Sequence, residues 1–399
     1  MDAVTFKDEK QGLSTLFLIS LFLSNFVTGI PIIIRSLLLI EIGESFGYPV
    51  GVTGQIATAY SAITIIFALI IGVLSTRYQP KTLLTVGLLL YIISALGCYI
   101  STSFPVLIIA YSITGISVSI VTPMTATIIG DVLVPDRRSS ALGLAGAGTP
   151  FSVLLGSPTI SYIAGQYGWR SAFIFFMLPV SVIGITLVYF WIPNVISRYD
   201  LKPKSASGGY RKIFSNRSAI ACFLGAMFVS INISNVLTYC ISSFRERFQV
   251  SAGFASLIFS GQAVAAFSGT IIGGNLANKL GKKRIIALAP LLLGLLTIST
   301  FSIGAFWLSA ALSIILWLFG SSSSIVGRSL SLEQDAEFRG TMMSLHSAAV
   351  GVGSALGTMI GGFILLWYGY SELGYILGAF GIFSVLIYHF FSEDPASNN

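Results

Sequence analysis

Apolar runs of about 20 residues, separated by short polar connections, fill almost the whole chain. A helix of about 20 apolar residues is long enough to cross the hydrocarbon of a bilayer. The runs predict twelve such spans, near 13–38, 52–75, 82–102, 106–130, 140–164, 171–193, 219–243, 251–275, 284–304, 307–328, 341–367 and 372–391. They are continuous and do not alternate with period two, so they read as helices and not as barrel strands. The tenth is the least apolar, because 321-SSSS-324 interrupts it. The longest polar stretch, 194–218, carries Pro, Gly, Ser and six cations and reads as a linker. It divides the chain into halves 1–193 and 219–399, six spans each.

Composition agrees with a membrane solvent. Of 399 residues 54% are hydrophobic and 9% charged, where a soluble domain carries about 25% charged residues. So few charges cannot cover a soluble surface of this size. Twelve spans put both termini on one side. Arg35, Arg170, Arg245 and Arg247 then fall on the other side, while the remaining eighteen of 22 Lys and Arg share the side of the termini. The positive-inside rule makes that crowded side the cytoplasm, so a multi-pass protein of the cytoplasmic membrane is expected. The net charge of +7 is therefore a topology signal, and it excludes nucleic acid as a partner. Residues 1–12 are polar and the apolar run after them is too long for a cleavable leader. Cys98, Cys222 and Cys240 all lie inside apolar runs without metal-ligand spacing. No Ser/His/Asp, zinc or nucleotide constellation is present, so neither an enzyme nor a cofactor is expected.

One polar island stands out, 273-GGNLANKLGKKRI-285. It is not a phosphate loop: Leu276 stands where the first glycine of that motif belongs, and Lys283 where its Ser or Thr belongs. Its meaning comes from an internal repeat. At an offset of 202, 72-GVLSTRYQPKTLL-84 falls on 274-GNLANKLGKKRII-286. At 201, 138-RSSALG-143 falls on 339-RGTMMS-344, and 154-LLGSPTISYIAGQYGW-169 on 355-ALGTMIGGFILLWYGY-370. A shift of six spans preserves orientation, so the halves form a parallel repeat about an axis along the membrane normal.

These residues resemble the major facilitator superfamily over essentially the whole chain. Gly274, Leu276, Ala277, Asn278, Lys279, Gly281, Lys282 and Lys283 match its signature loop, in the second-half copy between spans 8 and 9. The stretches 135-PDRRSSALG-143 and 168-GWRSAF-173 resemble the drug-efflux and sugar-efflux branch. The resemblance implies an all-α integral membrane fold, with twelve transmembrane helices in two six-helix bundles. It also implies a secondary transporter acting by alternating access. The gating set carried over is Gly72, Arg77, Lys81, Asp131, Arg138, Gly274, Asn278, Lys279, Gly281, Lys282 and Arg339. Gly273 and Gly274 are expected to let helix 8 press on a neighbour, and Gly281 to turn the chain at positive φ. The first-half copy departs from the pattern at Thr76, Gln79 and Pro80, so a weaker latch is expected there. Asp131 is expected to pair with Arg77, Lys81 or Arg138.

Ionisable groups deep in a membrane are functional candidates. No Asp or Glu lies mid-span. Arg35 lies in the outer part of the first span, either as an interfacial anchor that snorkels or pairs with Glu41, or as a substrate or gating residue. His346 is a candidate proton carrier, with helix packing as its alternative role. By family analogy the cavity candidates are Asn25, Arg35, Tyr60, Thr122, Met124, Asn232, Asn235, Tyr239, Gln262 and the Ser321–Ser324 cluster. Each of the polar residues has a plain alternative, a hydrogen bond between helices. The family's helix 4 antiporter motif is degenerate here: Tyr111 replaces its Arg and Thr114 its Gln. That puts proton antiport in doubt. The expected partners are a lipid bilayer, a small amphipathic or apolar organic solute and, where coupling exists, protons; a monomer is expected. Export is the leading direction. A metabolite uniporter or symporter, and a non-transporting receptor on the same fold, remain alternatives.

Overall fold

A computed structural model describes residues 15–75, 77–194, 212–335 and 339–393, without the side chains of residues 73, 135, 136, 139, 339 and 340. Thr76 and residues 195–211 of the expected linker lie outside the described residues.

The first span is α1 (Thr15–Leu37), continued past a break at Leu38 by α2 (Leu39–Phe46). The second combines α3 (Val50–Thr53) and α4 (Gln55–Leu74). There follow α5 (Pro80–Ile100), α6 (Phe104–Val132) and α7 (Pro135–Tyr167). A π-helical turn, Phe173–Met177, leads into α8 (Leu178–Trp191). The second half holds α9 (Arg217–Phe248), α10 (Ala252–Leu280), α11 (Lys282–Ser302), α12 (Phe306–Glu333), α13 (Arg339–Trp367) and α14 (Tyr370–Phe391).

Among the described residues eleven helices are long and apolar enough to cross a membrane. The fifth predicted span, α7, has the length, 33 residues, but Gly, Ser, Thr and Pro dilute its apolar content. Several helices also outrun the predicted spans. The seventh ends at Phe248 and not at 243, and the tenth at Glu333 and not at 328. Hydropathy measures the hydrocarbon, whereas a helix continues into the headgroup layer. Local signals fix the starts. Asn216 accepts from the amides of Ser218 and Ala219, capping α9 at 2.9 and 3.2 Å, and Ser251 caps α10 through Phe254 N–H.

The backbone records the repeat. Gly47 (φ 72°) and Gln249 (φ 54°) lie 202 residues apart, and Gly168 (φ 83°) and Gly369 (φ 119°) lie 201 apart. Each pair turns the chain at corresponding helix ends. Gly281 (φ 87°) has no such mate, because Gln79 at its place has φ −63°. Packing repeats too. In the first half α1 lies against α7, and α6 against α4 and α5; in the second, α9 lies against α13, and α12 against α10 and α11. The halves meet along α4 with α13 and α7 with α10, two pairs related by the same repeat, and along α1 with α9.

Candidate functional site

The junction between the halves is closed at one end. There Arg245 of α9 grips Glu41 of α2 with two hydrogen bonds, 2.6 and 2.8 Å, and also donates to the Leu37 carbonyl at 2.9 Å. Below this pair, α4 and α13 are stitched by Thr58 to Thr358 (2.9 Å) and Ser61 to Ser354 (3.2 Å). Gly51 packs so closely on α13 that a Cβ there would sit 2.5 Å from the Gly362 carbonyl oxygen. On the other flank Ser260 of α10 donates to the Leu154 carbonyl of α7 at 2.8 Å, and Phe151 meets Phe267 edge-on. Among the described residues, no side-chain hydrogen bond or ion pair joins the halves nearer the opposite end, where Lys282 lies.

Arg35 sits near the closed end, two turns of helix before Glu41. It is 4% exposed, so it does not snorkel. Nor does it pair with Glu41, which Arg245 occupies. Its Nε and Nη1 have no hydrogen-bond partner. The guanidinium instead lies 4.9 Å from the centre of the Tyr60 ring, which meets Tyr111 edge-on. Tyr111 donates to the Pro31 carbonyl at 2.6 Å, so the Tyr at the family's Arg position braces α6 against α1. Tyr239 donates to the Thr358 carbonyl at 3.0 Å and packs on Gly54, across the junction. Asn235 donates to the Gly357 carbonyl, and its Oδ1 is buried without a donor. A buried cation without a carboxylate, and a buried amide oxygen on α9 without a donor, are each costly unless they serve binding.

A second polar centre lies toward the Lys282 end. A recess of about 120 Å³ between α9, α12, α13 and α14 is lined by Ser230, Ser323, Ser324, Arg328 and His346, with Ala226, Val229, Ile233, Val350 and Tyr388. Ser331 bonds His346 Nδ1 at 2.9 Å and the Gly327 carbonyl at 2.9 Å. With its one proton on that carbonyl, Ser331 accepts from Nδ1–H, and Nε2 is left as an acceptor. Arg328 is exposed and makes no ion pair with any described residue, and Ser323 Oγ is buried without a partner. Arg328 was not among the sequence candidates because the predicted span stopped there. The helix continues five residues further, which places Arg328 about 7.5 Å inside its end.

Asn25, Asn232 and Gln262 hydrogen-bond between helices. Asn25 joins α1 to Thr125 of α6 at 3.2 Å. Asn232 donates to the Leu377 carbonyl and accepts from Thr297, tying α9 to α14 and α11. Gln262 donates to Ser313 at 2.9 Å. Met124 is buried and Thr122 exposed.

At the signature loops, Gly281 takes the expected positive φ and Gly273 abuts Ser322 of α12, but Gly274 and Gly72 face open space. Lys282 pairs with Glu333, within its own half. Lys81 donates to the Tyr189 carbonyl at 2.8 Å, and Arg138 Nε folds back onto the Leu133 carbonyl at 2.9 Å. Asp131 accordingly pairs with neither of them, nor with Arg77; the expected ion pair is absent among the described residues. Asn278, Lys279 and Arg77 are exposed, and the side chain of Arg339 lies outside those described.

The chain matches the model of the Major Facilitator Superfamily over residues 15–249 and 222–399. It is 27% identical to an uncharacterised MFS-type transporter, YceJ of Bacillus subtilis, over 90% of this chain and 92% of that one. It is 23% identical to a probable sugar efflux transporter of Pasteurella multocida, over 93% and 90%. Its fold superposes on the crystal structure of a D-xylose–proton symporter with TM-score 0.82 at 16% identity, covering 95% of this chain and 98% of the other.

Proposed function

Because the chain belongs to the major facilitator superfamily, whose members are membrane transporters and not enzymes, we propose that it moves a small amphipathic organic solute by alternating access. The observation that carries this reading is the one-sided junction, bonded from the Arg245 end to mid-membrane and unbonded among the described residues beyond. Rocking halves 1–193 and 219–399 about the middle of that junction exchanges the open end, with 194–218 as the connection. The cation distribution supports a cytoplasmic Lys282 end and cytoplasmic termini, so the arrangement corresponds to an inward-open state.

Arg35, Tyr60, Asn235 and Tyr239 are the proposed central solute contacts. The signature-loop residues, Gly72, Arg77, Lys81, Asp131, Arg138, Asn278, Lys279, Lys282 and Arg339 among them, are the proposed latch of the outward-open state. Their present bonds within each half, or exposure, suit a latch that is released here. The mostly apolar recess with hydroxyl handles supports an amphipathic cargo over a sugar. The name of the Pasteurella relative supports export. His346 is the proposed carrier if a proton is coupled, since no mid-span carboxylate offers another. The test is counterflow in proteoliposomes of solutes found by a thermal-shift screen, with and without an imposed ΔpH. Saturable counterflow is expected. Binding without flux for every hit would leave a receptor, and ΔpH-independent flux would remove proton coupling.

A further inference from the structure

Charge in the spans of this protein is one-sided. Every Asp and Glu among the described residues stands at or near a helix end, and Glu333, the acid closest in sequence to Arg328, is held by Lys282. Two cations, Arg35 and Arg328, lie within helices with no carboxylate on either among the described residues: Arg35 is buried, and Arg328 is exposed where it lines a recess. Placing an unpaired charge within a membrane protein is costly, and such charges pair when they can. Among the described residues neither cation has an acidic partner.

Arg328 has room beside it. The recess of about 120 Å³ accommodates a charged group the size of a carboxylate, with Arg328 on one wall and the unpartnered Ser323 hydroxyl on another. Val229, Ile233 and Val350 line the same space, so the site pairs a cation and a free donor with an apolar wall. We propose that the transported solute is an amphipathic organic anion, whose carboxylate or phosphonate group is taken up by Arg328 and Ser323 in this recess. The guanidinium fork fits a two-oxygen acid edge on, and the hydroxyl donates a further hydrogen bond. The apolar remainder of the solute lies along Val229, Ile233 and Val350. The inference rests on the transport reading above and narrows it from amphipathic solutes in general to acids.

The experiment uses one carbon skeleton with three head groups. Purified protein in phosphatidylcholine nanodiscs is heated with 3-phenylpropionate, its amide or the corresponding amine, and the same compounds are assayed by counterflow. The carboxylate should raise the melting temperature, while the amide and the ammonium compound should not. Arg328→Gln should weaken the carboxylate response at least tenfold, Ser323→Ala by a smaller factor, and Arg328→Lys should restore part of it. An equal response to all three head groups overturns the proposal. So does a carboxylate response unchanged in Arg328→Gln, or no response to any of a panel of aryl and alkyl carboxylates and phosphonates. If Arg328→Gln does not fold, Ser323→Ala and Arg328→Lys carry the comparison. Counterflow of the amide alone refutes the anion assignment and leaves transport standing. Carboxylate binding without counterflow of any solute refutes transport and leaves the site standing.

Discussion

Arg245 and Glu41 are 204 positions apart and meet through two hydrogen bonds, tying the end of α9 to α2. They are the one ion pair between the halves among the described residues, and the side chains are 14% and 29% exposed. A partly buried two-pronged pair of this kind biases a two-state equilibrium by about 1–2 kcal/mol. Glu41→Gln should therefore raise the ratio of outward-open to inward-open protein about 5- to 30-fold. Spin labels at Glu44→Cys and Gln249→Cys would report a longer distance in the variant. The charge swap Glu41→Arg with Arg245→Glu should return the short distance. Unchanged distances in Glu41→Gln would show that this pair does not hold the end shut.

Arg35 makes a prediction of opposite sign for stability and activity. Its guanidinium is buried with two nitrogens unpartnered, and stacking on Tyr60 offsets only about 2 kcal/mol of the desolvation cost. Arg35→Met removes the charge and keeps an unbranched side chain. The ligand-free variant should melt higher, by a free-energy gain of about 1–3 kcal/mol, and its transport should be lost. A lower melting temperature would mean that Arg35 is a structural residue.

Glycine packing supplies a third prediction. A methyl at Gly51 would press on the Gly362 carbonyl oxygen across the junction, whereas one at Gly274 would meet open space. Backbone cannot yield as a flexible side chain does. Gly51→Ala should disfavour the closed Arg245 end by about 1–3 kcal/mol, visible as faster alkylation of a cysteine placed at Gln55. Gly274→Ala should leave that rate within about twofold, and gain a few tenths of a kcal/mol from helix propensity.

These features differ in how far the sequence discloses them. Hydropathy, cation placement and the 201–202 repeat are legible because they are properties of one chain read in order. The repeat goes as deep as the backbone, since Gly47 and Gln249 share a left-handed turn despite different side chains. The site was only half legible. Asn25, Asn232 and Gln262 look like cavity liners in a string of apolar residues, and the neighbours that satisfy them lie on other helices. Arg328 was hidden by the opposite error, a span ended at the first charge although the helix ran on to Glu333. No sequence pattern relates Glu41 to Arg245, so the nearer cation, Arg35, is the one the sequence offers as a partner for Glu41 beside its snorkelling alternative. The signature loop disclosed the Gly281 turn, but not that Lys282 pairs within its own half with Glu333.

His346 permits a test that separates proton coupling from transport itself. The ring is 3% exposed and its Nδ1–H is held by Ser331, while Nε2 has no partner among the described residues. Asn carries an amide N–H at nearly the place of Nδ1–H, so His346→Asn keeps the bond to Ser331 and removes the ring that could carry a proton. Its melting temperature should therefore change little. His346→Leu loses the bond and leaves Ser331 without its donor, at a cost of about 1–3 kcal/mol. If a proton drives accumulation through this ring, His346→Asn should retain counterflow at equal pH and lose all response to an imposed ΔpH. Wild-type protein should accumulate solute tenfold per unit of ΔpH at one proton per cycle, because each tenfold ratio is worth about 1.4 kcal/mol. A ΔpH response that survives in His346→Asn would move the carrier elsewhere, and among the described residues no mid-span carboxylate is available to take its place.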